Sequence, residues 1–152
     1  PARQDIPEDL FPLVDVITPN ETELSVLTGG PAGTVEEIEQ SAKLLLQKGV
    51  RNVVVTLGAR GSLIVNQNGA LLVPARKVSA VDTTGAGDCF NGVLAVALSA
   101  GMPLEKAVLR ANLAASISVT RRGALTSMPT LEDLESLWQM FSRDDMSYVA
   151  EG

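Results

Sequence analysis

Histidine is absent from the 152-residue sequence, cysteine occurs once, and aromatic residues make up only 3% of it. Without histidine there is no Ser-His-Asp or Cys-His catalytic unit, no His-ligated zinc and no His-Glu-x-x-His metalloprotease site. The lone Cys89 excludes an internal disulfide and any paired-cysteine metal or redox motif, and it suits a reducing compartment. Basic side chains are outnumbered 12 to 18, for a formal charge of -6. That balance argues against a surface built to neutralise nucleic-acid phosphates. No apolar run approaches the ~20 residues needed to span a bilayer. A soluble, cytoplasmic chain is expected, with neither nucleic acid nor membrane as a partner.

The opening Pro1-Ala2-Arg3-Gln4-Asp5 has neither the basic flank nor the apolar stretch of a signal peptide. Pro1 stands where a native start would carry Met, so upstream sequence is expected and organellar targeting stays open. The length fits roughly one domain of about 150 residues, enough to bury about two thirds of the unfolded surface.

What is present is an alternation of short apolar runs with helical patterns, the order of an α/β fold. Val14-Asp15-Val16-Ile17 reads as a strand ended by Thr18-Pro19. From Thr34, an N-cap followed by Glu36 and Glu37, apolar residues at Val35, Ile38, Ala42, Leu45 and Leu46 predict a helix that ends at Gly49. Arg51 to Leu57 is nearly continuous and β-branched, as in a parallel strand covered on both faces. Leu63-Ile64-Val65 and Leu71-Leu72-Val73 flank the turn cluster Asn66-Gln67-Asn68-Gly69, which predicts an antiparallel hairpin and hence a mixed sheet. Val78-Ser79-Ala80-Val81 reads as a further strand. Helices follow with Phe90, Val93, Leu94, Ala97 and Leu98 on one stripe, closed by Gly101. The next runs from Pro103 with Leu104, Ala107, Val108, Ala111 and Ala115 inward, and the last from Thr130 with Leu131, Leu134, Leu137, Trp138 and Phe141. The polar end, residues 142–152, is expected to fray.

The segment richest in chemistry is Val81-Asp82-Thr83-Thr84-Gly85-Ala86-Gly87-Asp88-Cys89-Phe90. It joins a strand to a helix through residues too small to shield their own amides, so successive N–H groups can face an oxyanion without a basic side chain. Asp88 sits near the positive end of the helix dipole, where a carboxylate is favoured. A carboxylate beside an anion hole is the pair that phosphoryl transfer to a hydroxyl requires. A Walker A loop would need a Lys after the glycines, and a dinucleotide fingerprint would need a third Gly where Phe90 stands. The plain alternative is a helix start with Thr84 as cap and Gly for tight packing. Asp82 and Asp88 weigh against it, because two carboxylates around a nest of amides repel a bound anion unless they have roles.

This segment resembles the C-terminal signature of the ribokinase-like (PfkB-type) sugar kinases, Asp-Thr-x-Gly-Ala-Gly-Asp-x-Phe, matched from Asp82 to Phe90. The resemblance implies a layered α-β-α fold with a mostly parallel sheet and an antiparallel hairpin. It implies Asp88 as base on the sugar hydroxyl, and the amides of Gly85, Ala86 and Gly87 as holders of the transferring phosphoryl group. Thr18-Pro19-Asn20-Glu21-Thr22-Glu23 matches the family's Asn-x-x-Glu, implying that Asn20 contacts the nucleotide and that Glu23 holds magnesium indirectly; read without the resemblance, it is a helix cap. Thr56-Leu57-Gly58-Ala59-Arg60-Gly61 matches the family's Thr-Leu-Gly-x-x-Gly, which lines nucleotide phosphates and ribose; otherwise it is a strand-to-turn segment and Arg60 a surface residue. By the same resemblance Asn112 lies near the adenine. The carbonyls of Thr84, Ser118, Arg121 and Gly123, with Asp82 and Ser127, surround a potassium ion. Cys89 reads as a small packed residue.

The match covers about Asp15 to Leu137 and corresponds to the C-terminal half of the family's fold. Residues 1–141 are therefore expected to be the nucleotide-binding part, with ATP, Mg2+ and K+ as cofactors and the sugar pocket elsewhere. The pattern leans toward the ribokinase branch, with D-ribose converted to ribose 5-phosphate. Fructose, 2-keto-3-deoxygluconate and a nucleoside are alternative substrates, and the full-length protein is expected to be a homodimer. A reading from a different class is a truncated, non-catalytic fragment that binds nucleotide or assembles with a partner through an open sheet edge.

Overall fold

The computed structural model describes residue 3 and residues 5–144. The chain packs as two compact units, Pro1–Val73 and Pro74–Gly152.

The first unit holds the sheet: β1 (Val16–Ile17), β2 (Asn52–Thr56), β3 (Ser62–Asn66) and β4 (Gly69–Val73), in that order. β1 runs parallel to β2, while β2–β3 and β3–β4 are antiparallel. The mixed sheet is as expected. Its parallel share is smaller than a mostly parallel sheet would have, because two of the three pairings, β2–β3 and the hairpin β3–β4, are antiparallel. β2 is buried along Val53, Val54 and Val55, which its unbroken β-branched run foretold. Helices α1 (Glu21–Thr28) and α2 (Val35–Gln47) bring Leu24, Ile38, Ala42 and Leu45 against Val53, Val55, Leu63 and Val65. Both helices start with a capping box. Thr34 Oγ1 accepts the Glu37 amide while the Glu37 carboxylate accepts the Thr34 amide, and Asn20 and Glu23 do the same for α1.

The second unit is helical among the described residues: α3 (Ala86–Ser99), α4 (Leu104–Ser118) and α5 (Leu131–Asp144). α4 packs against both α3 and α5, and Cys89, Leu113, Ala114, Leu134 and Leu137 form a core. The Val78–Val81 strand does not form. The Val81 and Asp82 amides both donate to the Val119 carbonyl at α4's end, and among the described residues no strand pairs with the segment to complete a ladder. α5 continues three residues past the expected end at Phe141; the rest of the expected fray, residues 145–152, lies outside the described residues.

Candidate active site

In the first unit the candidate nucleotide residues gather at the carboxyl ends of the two parallel strands. The Thr56 amide donates to the Pro19 carbonyl at 2.9 Å, and Asn20 forms an isolated parallel bridge with Thr56. This lays the start of α1 beside the end of β2, the edge at which open α/β sheets bind ligands. Asn20 Oδ1 accepts the Glu23 amide at 2.8 Å and Glu23 Oε2 accepts the Asn20 amide at 2.9 Å. The capping alternative is thus realised, and each of these side chains keeps further acceptor capacity.

After Thr56 the chain closes a tight loop. The Leu57 amide donates to Gly61 O at 2.8 Å around a 3-10 turn at Gly58–Arg60. Gly58 and Gly61 have φ of 58° and 98°, so a side chain at either position would be strained. Leu57 itself points into the core, and only its backbone can meet a ligand. Gly58, Ala59 and Arg60 are exposed. Arg60 pairs with Glu21 in the first turn of α1, so its guanidinium is shared with a carboxylate.

In the second unit the glycine-rich turn is organised from behind by Asp82. Its Oδ1 accepts the Thr84 amide and its Oδ2 the Gly123 amide, both at 2.9 Å. The Thr84 side chain, then those two amides, hold its carboxyl down at about 2, so it stays ionised while bridging loops 41 residues apart in sequence. Thr84 is not the helix cap. That position belongs to Gly85 at φ 77°, where a Cβ would meet Ala124 Cα at 3.1 Å. Of the three amides expected to face an anion, Ala86 donates back to Thr83 O at 3.2 Å. The amides of Gly85 and Gly87 have no acceptor among the described residues, as the first turn of a helix leaves them. The Asp88 side chain is exposed and has no hydrogen bond or ion pair there either.

The candidate potassium residues converge on the same loops. Ser118 and Ser127 are fully buried with their hydroxyl oxygens 3.0 Å apart, the Arg121 amide donates to Ser118 O, and Gly123 is bound to Asp82. Carbonyl, hydroxyl and ionised carboxylate oxygens suit a hard cation. Arg121 turns its guanidinium away to Asp133, at 3.0 Å. No group of three or more acidic, His or Cys side chains converges among the described residues. Asn112 is buried on α4, where its carbonyl accepts the Ser116 hydroxyl at 2.7 Å. Burial pushes the Cys89 thiol up, with Ser118 pulling the other way. The motifs did not reveal the role of Ser118's side chain; a buried serine in an alanine-rich helix end was its only signal.

Known proteins resemble this chain over most of its length. The family model described as pfkB family carbohydrate kinase matches residues 1–131. A deoxyribokinase of Salmonella typhi is 39% identical over 132 residues, covering 87% of this chain and 43% of that protein. A ribokinase structure from Thermotoga maritima aligns with a TM-score of 0.81 at 45% identity, over 90% of this chain and 46% of its own. An Arabidopsis thaliana ribokinase solved with ribose and ATP aligns at 0.82 and 40% identity, over 87% and 43%. The chain therefore spans less than half the length of these relatives, and the fold it shares with them is the ribokinase-like α/β fold. With the glycine-rich helix start, its Asp82 brace and a match over most of the sequence in hand, the chain belongs to the pfkB family of carbohydrate kinases.

Proposed function

We propose that residues 1–141 are the nucleotide-side part of an ATP-dependent sugar kinase, and that the full-length protein transfers the γ-phosphoryl group of ATP to the 5-hydroxyl of D-ribose. One observation carries this reading: an exposed Asp88 carboxylate, unpaired among the described residues, directly follows the amides of Gly85 and Gly87, which have no acceptor there. Asp88 accepts the hydroxyl proton as the sugar oxygen attacks the γ-phosphorus and ADP leaves. The Gly85 and Gly87 amides donate to the phosphoryl oxygens, and Ala86 joins them if its turn bond to Thr83 opens. Asn20 and the Thr56–Gly61 loop bind the nucleotide, and Asn112 lies toward its base. Glu23 holds magnesium through water; Asp82, Thr84, Ser118, Arg121, Gly123 and Ser127 hold potassium. Magnesium supplies charge neutralisation on the phosphates, and potassium favours the loop shape that aims the amides.

The test is ATP consumption by the full-length protein with ribose, 2-deoxyribose, fructose, 2-keto-3-deoxygluconate and adenosine. 2-Deoxyribose belongs in the panel because one relative is a deoxyribokinase. Turnover highest with ribose is expected; no turnover with any of them sinks the kinase reading.

A further inference from the structure

Behind the glycine-rich turn lies a run of buried polar groups whose side chains the chemistry above leaves largely unused. Ser127 Oγ donates to the Ala124 carbonyl at 2.8 Å, and Ser118 Oγ lies 3.0 Å from Ser127 Oγ. Cys89 of α3 packs in the core with Leu113 and Ala114 of the helix that carries Ser118. Ser118 and Ser127 are 0% exposed and Cys89 3%. A hydroxyl or thiol has one proton to give. Counting each once, Ser127 donates to the Ala124 carbonyl, which leaves Ser118 to donate to Ser127.

The far end of this run is the residue that touches the turn. A Cβ at Gly85 would lie 3.1 Å from Ala124 Cα and 3.2 Å from Ala124 Cβ, so the Gly85 backbone and Ala124 approach too closely for a side chain between them. One residue earlier, Gly123 is tied to Asp82. The loop is thus held at Gly123 from one side and at Ala124 from the other.

The geometry points to a buried hydroxyl tether, Ser118 to Ser127 to the Ala124 carbonyl, that sets Ala124 against Gly85 and so fixes the aim of the Gly85 and Gly87 amides, with the Ser118 hydroxyl as its positioning residue. The cation site suggested by resemblance uses only the Ser118 carbonyl, so the hydroxyl has no role there. The tether stands on this geometry alone; its effect on catalysis rests on the kinase reading above.

Two measurements separate the parts. In the 152-residue chain Cys89 is the only thiol and it is buried against the helix that carries Ser118, so its alkylation by iodoacetamide reports how tightly the core behind the turn is closed, whether or not any sugar reacts. Ser118→Ala and Ser127→Ala should each label several-fold faster than the wild type. Ser116→Ala, which removes a buried hydroxyl that bonds only its own helix, should not. Unchanged labelling in both variants, or equal acceleration in Ser116→Ala, overturns the tether. In the full-length protein, Ser118→Ala should lower kcat about three- to tenfold, the worth of one hydrogen bond, with the sugar KM unchanged. Ser118→Ala with Ser127→Ala should cost little more than the worse single change. A wild-type kcat, or fully additive losses, overturns the positioning role. Absence of turnover in the wild type is a failure of the kinase reading, and the labelling result stands apart from it.

Discussion

At the scale of single residues, two aspartates within one turn of chain do different work. Asp88 is exposed and, among the described residues, unpaired, as a base must be to receive a proton. Asp88→Asn should keep ATP binding, measured by calorimetry, while transfer falls by about a hundred- to ten-thousandfold; an active variant refutes the assignment. Asp82 is a brace. Its carboxyl is lowered from 3.8 to about 2 by the Thr84 side chain and by the amides it accepts. A depressed carboxyl stabilises the fold above its unfolded value, and that contribution is lost as pH falls through the folded one. Asp82→Asn should therefore flatten the acid limb of stability between 3.8 and about 2, read by acid titration of the fold. The place of Asp88 beside the glycine amides was legible in the sequence because its spacing from them is local. The Asp82 bond to Gly123 was not, since no local pattern marks a partner 41 residues away.

At the scale of elements, helix starts do most of the positioning. The capping box of α1 raises the question of whether Asn20 and Glu23 serve the helix or a ligand, and one substitution separates the two. Gln fills the N3 position of a capping box as Glu does. Glu23→Gln should thus leave Tm unchanged in the full-length protein while raising the magnesium concentration needed for half-maximal rate. Asn20→Ala, by contrast, loses the cap and should cost about 1 kcal/mol by thermal melting. At α3, Gly85→Ala combines a left-handed backbone, worth about 1–2 kcal/mol, with a contact to Ala124 at 3.1 Å. Both Tm and kcat should fall, and a kcat near wild type would remove Gly85 from the anion hole. The helices were readable because a 3.6-residue apolar period and a cap are written in adjacent residues. Val78–Val81 misled because β-branched residues favour a strand only where a neighbour completes its ladder.

At the scale of the whole molecule, length and charge bounded the answer without supplying it. Orienting two reactants is worth about 7–11 kcal/mol, against about 3 kcal/mol for one oxyanion donor. A chain that spans 43% of its deoxyribokinase relative can carry the donors without the orientation. The 152-residue chain alone should show no ribose-dependent ADP release even where calorimetry detects ATP. Two compact units, where the length suggested roughly one domain, reflect where apolar residues cluster: Phe11, Leu24 and Leu45 in one core, Leu113 and Leu137 in the other.

The placement of the aromatic residues in those units has an optical consequence. The only tryptophan, Trp138, lies on α5 with the Arg110 guanidinium 5.4 Å from its ring centroid, and the only tyrosine, Tyr148, follows it in sequence. Residues 1–73 contain neither. Emission excited in the near ultraviolet therefore comes wholly from the second unit, and the sheet that carries the candidate nucleotide loop is dark. A melting curve followed by that light measures one unit; ellipticity in the far ultraviolet weighs both. Where the two curves part, the difference is the signal of the first unit.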